Sequence, residues 1–307
     1  MAKPDLKVNL CGVEFANPVI AASGCFGFGR EYAEYYSLSR LGGISVKGLT
    51  PEPREGNAPS RIAETASGML NAVGLQNPGV DAFLESELPW LKAQGTRVIA
   101  NIAGKTVEEY MLMARKLRNS AVDMVELNIS CPNVKEGGVA FGARPESVYR
   151  IVNAVRPHCT QPLIVKLSPN TLDIAENAQA AEAGGADAVS LINTLTGMAI
   201  DADKRRPILA NITGGLSGPA IKPIALRMVW QAAQAVKIPV IGMGGIMTGR
   251  CAVEFLLAGA SAVQVGTANL IDPMACVNIV DGIEQYMEQH DVARVQELVG
   301  ALRLSSQ

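Results

Sequence analysis

At 307 residues and 32.3 kDa the chain has the length of two average domains or of one α/β barrel, for which about 250 residues is typical. Hydrophobic residues make up 48% against 18% charged, which excludes a disordered chain. Lys and Arg number 27 against 29 Asp and Glu, a net charge of −2 with no basic tract, so a nucleic-acid or anionic-membrane surface has no electrostatic support.

The N-terminal stretch lacks an apolar signal core, and no run of about 18 uncharged apolar residues follows it. A cytoplasmic protein is expected. Residues 6–9 and 13–15 flank Cys11-Gly12 and predict a β-hairpin. Eight short apolar runs come next, at 19–23, 43–47, 97–103, 124–130, 163–168, 188–194, 239–244 and 262–267. Such near-continuous runs read as parallel strands buried on both faces.

Helical stripes fill the intervals. The first interval predicts only a short, aromatic-rich helix near 31–38. Val107, Tyr110, Met111, Ala114 and Leu117 share one face, with Thr106 and Glu109 as a capping box. Pro145 suits a first helical position ahead of the stripe Val148, Ile151, Val152 and Val155. Ile221, Ile224, Ala225, Met228, Val229, Ala232 and Val236 form another face. Eight βα units in series predict a TIM (β/α)8 barrel, one domain over 1–307, with the hairpin covering its bottom.

Three connections are long, at 49–79, 131–144 and 195–218, and each follows a strand. They therefore lie at the C-terminal rim, where barrel enzymes place their sites. Ser45 and Lys47, Glu126, Asn128 and Ser130, and Lys166 and Ser168 occupy alternate strand positions, whereas the residues between them are apolar. That parity sends two lysines and an asparagine into the upper barrel interior, where an anionic ligand is expected.

The last two strands end in Gly242-Met-Gly-Gly245 and Val265-Gly-Thr267. Glycine turns there commonly hold phosphate through backbone N–H groups, which points to a phosphate-bearing cofactor. Cysteines stand at 11, 25, 131, 159, 251 and 276, with no CxxC pair and only two histidines in the chain, so cluster or zinc ligation has no support. Cys131 in Asn128-Ile-Ser-Cys-Pro-Asn133 opens a loop whose Gly137, Gly138 and Gly142 suit a lid. Cys25 has a similar rim position, so position alone does not choose the reactive thiol.

These stretches, with Ala21-Ala-Ser-Gly24, Lys47-Gly48, Asn71-Ala-Val-Gly-Leu-Gln-Asn77, Lys166-Leu-Ser-Pro169 and Ile192-Asn-Thr194, resemble dihydroorotate dehydrogenases over essentially the whole chain. The resemblance implies oxidation of (S)-dihydroorotate to orotate on FMN, in pyrimidine synthesis. It makes Cys131 the base that removes the C5 proton, with hydride passing from C6 to flavin N5. Substrate contacts carried over are Lys47, Asn71, Ala72, Val73, Gly74, Leu75, Asn128, Asn193 and Thr194. FMN contacts carried over are Ser23, Lys47, Gly48, Asn101, Asn128, Lys166, Ile192, Gly218, Gly244, Gly245, Gly266 and Thr267.

Cysteine at the base position and a barrel beginning within twenty residues argue against the membrane-associated branch, which uses serine. Lys47-Gly-Leu-Thr-Pro-Glu-Pro-Arg54 and Gly74-Leu-Gln-Asn-Pro-Gly79 resemble the NAD-linked class 1B branch. That branch implies a catalytic homodimer within a heterotetramer, partnered by a subunit carrying FAD and an iron–sulfur cluster. The alternatives are a fumarate-linked class 1A enzyme and a dihydropyrimidine dehydrogenase-type flavin subunit. From other classes come a flavin-free phosphate-binding barrel lyase and a non-catalytic electron-relay subunit.

Overall fold

The computed structural model describes residues 3–130 and 142–304. Eight parallel strands close into a barrel: β1 (Val19–Ala21), β2 (Gly43–Ser45), β3 (Arg97–Ile102), β4 (Met124–Asn128), β5 (Leu163–Lys166), β6 (Ala188–Leu191), β7 (Val240–Met243) and β8 (Ala262–Val265). Each pairs with its neighbours in sequence, and β8 pairs with β1. All eight expected strands are present. Most stop one to three residues short of the apolar runs, because rim residues such as Ser23, Lys47 and Asn193 leave the ladder.

The Val8–Leu10 and Val13–Phe15 hairpin turns through Cys11 (φ 54°) and Gly12 (φ 88°), a two-residue turn needing positive φ at both positions. The Phe15 ring lies against Gly43, the first residue of β2, so the hairpin closes the N-terminal end of the barrel. One hydrophobic cluster runs from Val8 to Leu298.

Most helices bury the expected faces. In Pro145–Val155 the residues Val148, Ile151, Val152 and Val155 are buried, and Pro145 opens the helix. In Val107–Leu117, Met113 is buried with Tyr110, Ala114 and Leu117, while Met111 packs at the edge. Thr106 accepts from the Glu109 N–H, but the Glu109 carboxylate reaches the N–H of Lys105 rather than of Thr106, so only half of the expected capping box forms. Thr106→Ala should cost about 1 kcal/mol, measurable as a fall of roughly 2 °C in thermal midpoint. Ile224 of the stripe from Ile221 to Val236 is exposed on Lys222–Ala235, while Ala225, Met228, Val229 and Ala232 are buried.

The first interval departs from expectation. No α-helix follows β1; the chain makes 3₁₀ turns at Tyr32–Glu34 and Leu38–Arg40. Glu31 and Tyr35 keep helical dihedrals, but Ser37 is extended (ψ 123°), which divides the span into two separate turns. The aromatics pack singly instead, with the Phe26 and Tyr32 rings stacked at 3.9 Å. The C-terminal helix Ala275–Gln289 packs against β1 and Gly249–Leu257.

Two of the long connections are not loops. Ile62–Thr65 and Gly68–Asn71 from the first, with Leu195–Met198 and Thr213–Ser217 from the third, form one four-stranded antiparallel sheet on the rim. Among the described residues no helix is long and apolar enough to cross a membrane.

Candidate active site

A cavity of about 250 Å³ opens at the C-terminal ends of the barrel strands. Ser23, after β1, and Lys47 and Gly48, after β2, line one side. Asn128 and Lys166, adjacent across β4 and β5, project from below. Ile192, Asn193 and Thr194 follow β6; Gly244 and Gly245 follow β7; Gly266 and Thr267 follow β8. The rim sheet adds Asn71, Val73, Gly74, Leu75 and Gly218. The residues expected at the site thus converge, with two exceptions and one position outside the described residues.

The exceptions are Ala72 and Asn101. Asn71 and Val73 reach the cavity, so the intervening side chain faces the other way: Ala72 is buried with Ala63, Leu70 and Leu209 beneath the rim sheet. Asn101 sits one layer below, fully buried, its side chain between Glu126 and Asn128. Cys131, the expected base, lies outside the described residues, as do Gly137 and Gly138 of the expected lid. Gly142 is held rather than free: its carbonyl accepts from Asn177, and a Cβ there would meet the Ile129 carbonyl at 2.5 Å.

The rim sheet is what brings the polar groups together. Asn71 pairs with Gly215, and a Cβ at Gly215 would fall 2.0 Å from the Thr194 hydroxyl. Only glycine lets residues 71 and 194 face the same space. Asn77 secures the approach, receiving the N–H of Thr50 and of Gly79 and donating to the Leu75 carbonyl and the Thr50 hydroxyl. Asn77→Ala strands these buried groups. It should cost about 2–3 kcal/mol and weaken ligand binding, checked by chemical denaturation and titration.

Opposite the polar groups the wall is backbone. Gly245 (φ 73°) lies against Gly218 (φ 96°), where a Cβ on it would stand 2.8 Å from the Gly218 oxygen, and Gly244 (φ 123°) lies against Ala225 and Ile192. The Thr267 and Ser217 hydroxyls meet at 2.8 Å beside them. Residues 218–222 and 267–271 both begin helical turns here. Such a wall offers N–H groups to phosphate. Met243, Ile246, Met247 and Leu270 make the adjoining surface apolar, as a flat aromatic ring requires.

Below the cavity floor Glu126 is fully buried. Its Oε2 accepts from Ser45 (2.8 Å) and Asn101 (2.6 Å), its Oε1 from Ser190 (2.8 Å) and Gln264 (2.7 Å). Burial pushes this carboxyl up, but the Lys166 ammonium and the bonds from Ser190, Asn101 and Gln264 outweigh it and hold it below the usual range. The buried lysine therefore has an internal anion in addition to any ligand. The network continues upward: Asn128 accepts from the Ser130 hydroxyl at 3.0 Å, and Asn193 donates to that hydroxyl at 2.7 Å. It ends one residue before Cys131.

Cys25 also lines the cavity. Burial pushes its thiol up, by more than Lys166 and Lys47 lower it, so it is poorly suited to act as a thiolate. Gln264 and Ser190 escaped the sequence reading although the same alternation that marks Lys166 marks them: each is a single polar residue within a short apolar strand. The apolar lining carries no comparable signal.

The model of the dihydroorotate dehydrogenase family matches residues 5–287. The dihydroorotate dehydrogenase B (NAD(+)) catalytic subunit of Alkaliphilus metalliredigens is 59% identical over 302 residues, covering 98% of this chain and 100% of that protein. Proteins of the same description from Geotalea uraniireducens (58% over 303 residues, 98% and 99% covered) and Petrotoga mobilis (55% over 298 residues, 97% and 99%) align equally fully. With a closed eight-stranded barrel, a rim cavity of lysines and asparagines, and similarity from end to end, the chain belongs to the dihydroorotate dehydrogenase family.

Proposed function

We propose that the chain is the FMN-binding catalytic subunit of an NAD-linked dihydroorotate dehydrogenase, oxidising (S)-dihydroorotate to orotate for pyrimidine (UMP) synthesis in the cytoplasm. The observation that carries the reading is the meeting of Lys47, Asn71, Asn128, Lys166 and Asn193 on one cavity, in a chain aligned over 98% of its length with a subunit of that description.

The glycine-walled end around Gly218, Gly244, Gly245, Gly266 and Thr267 suits the FMN phosphate, since Gly245 packs so closely on the Gly218 and Lys222 backbone that a Cβ would force this wall apart. Ser23, Gly48, Lys166 and Ile192 would hold the ring system, where Lys166 would stabilise negative charge on it. Bound there, FMN supplies a two-electron acceptor for the hydride leaving C6. Asn71, Asn128, Asn193 and Thr194 offer donors and acceptors for an amide-rich ring, and Lys47 a positive charge for its carboxylate. Cys131 takes the C5 proton. The Asn128–Ser130–Asn193 network fixes the chain up to the residue that precedes Cys131 in sequence.

The two electrons then leave through a partner subunit carrying FAD and an iron–sulfur cluster to NAD, in a heterotetramer built on a homodimer of this chain. The relatives' description as a catalytic subunit supports a separate electron-transfer partner.

The test is an anaerobic visible spectrum of the purified chain. A yellow protein that bleaches with dihydroorotate and not with dihydrouracil, and recovers with neither NAD nor fumarate, is the expected result. Recovery with fumarate assigns the class 1A branch. A flavin that dihydroorotate leaves oxidised refutes the substrate.

A further inference from the structure

Glu126 is the one acidic side chain buried among the described residues, and nothing in the chemistry above uses it. It sits on β4 two residues below Asn128, and its two oxygens collect four donors from β2, β3, β6 and β8. An ionised carboxylate is costly in a barrel core unless its acceptor capacity is filled and a cation is near. Both conditions are met here, since Lys166 stands on the neighbouring strand with 4% of its surface exposed. Among the described residues, the charged side chains lining the cavity are Lys47 and Lys166, with no carboxylate beside them. Glu126, beneath Lys166, is the described anion that offsets these lysines.

We propose that Glu126 is a positioning residue that holds Lys166 in place and offsets its field, and so determines how strongly the site favours negative charge on its cofactor. This rests on the FMN reading. A ring accepting two electrons gains negative charge, and Coulomb interactions at barrel-interior separations remain worth a kcal/mol or more at an effective dielectric of about 20. The carboxylate beneath Lys166 offsets part of the lysine's field. Its presence keeps the reduced cofactor from being held too tightly to pass electrons onward.

Glu126→Gln is nearly isosteric and removes only the charge. The network can absorb it, because Gln264 Oε1 is buried without a hydrogen-bond partner. Turning that amide presents an acceptor to the new N–H. With the anion gone, the reduced cofactor is favoured: the flavin midpoint potential should rise by at least about tenfold in the reduced-to-oxidised ratio, about 30 mV for a two-electron couple. A purely structural role would change melting temperature and leave the potential where it was.

Ser190→Ala provides the second arm. It deletes one donor to the same carboxylate but keeps the charge, so more of that charge reaches the cofactor and the potential should fall, by less than Glu126→Gln raises it. The experiment is anaerobic dye-equilibrated reductive titration of the yellow wild-type protein and both variants. Opposite shifts establish the proposal, and should Glu126→Gln not fold, a downward shift in Ser190→Ala does so. Unchanged potentials in yellow variants, or a rise in Ser190→Ala, overturn it. A wild-type protein that binds no flavin overturns the FMN reading itself.

Discussion

Cys131→Ala is expected to retain the flavin and lose turnover by about 10²–10⁴-fold, the usual contribution of a general base. Asn128, Ser130 and Asn193 form a hydrogen-bonded set at the end of β4, immediately before residue 131. Cys25, which lines the cavity, has its thiol pushed up by burial and cannot substitute cheaply as a base. Anaerobic stopped-flow of flavin reduction by dihydroorotate measures the proton-coupled step directly. Near-normal reduction in Cys131→Ala at neutral pH would falsify the assignment, whereas Cys25→Ala should reduce at a rate close to wild type.

Gly245→Ala should abolish stable flavin binding and destabilise the fold by about 2–3 kcal/mol. Its φ of 73° is costly for any residue with a side chain, and the added Cβ would stand 2.8 Å from the Gly218 carbonyl and 2.9 Å from the Lys222 nitrogen. Both are backbone atoms, so the cradle must open rather than a side chain move aside. Gly12→Ala is the matched control. That glycine has a φ of 88° and nothing within 4 Å of a Cβ, so it pays the conformational cost alone, about 1 kcal/mol, and keeps its flavin. Flavin-to-protein ratio and thermal midpoint separate the two variants. Equal flavin content in both would show that the Gly218–Gly245 contact does not hold the phosphate.

The sequence by itself determined the order of the eight strands, the rim as the working face, and the inward direction of Lys47, Asn128 and Lys166. Each follows from local rules: apolar runs mark strands buried on two faces, and alternation along a strand assigns each side chain to one of them. The same rule extended to Asn101, Ser190 and Gln264 would have exposed the Glu126 network. The motif places Asn101 and Ala72 with the lining residues, whereas pleat and depth turn their side chains away from the cavity. Tertiary structure alone decided three further matters. The segment after β1 became two 3₁₀ turns because an extended Ser37 divides it and Tyr32 stacks on Phe26. Residues 49–79 and 195–218 became one sheet because strands 144 residues apart in the chain pair at Asn71 and Gly215, a contact no local pattern encodes. The charge at the cavity floor was decided by Glu126 meeting donors from four strands, since the sign of a buried site depends on which side chains the barrel brings within a few ångströms of one another.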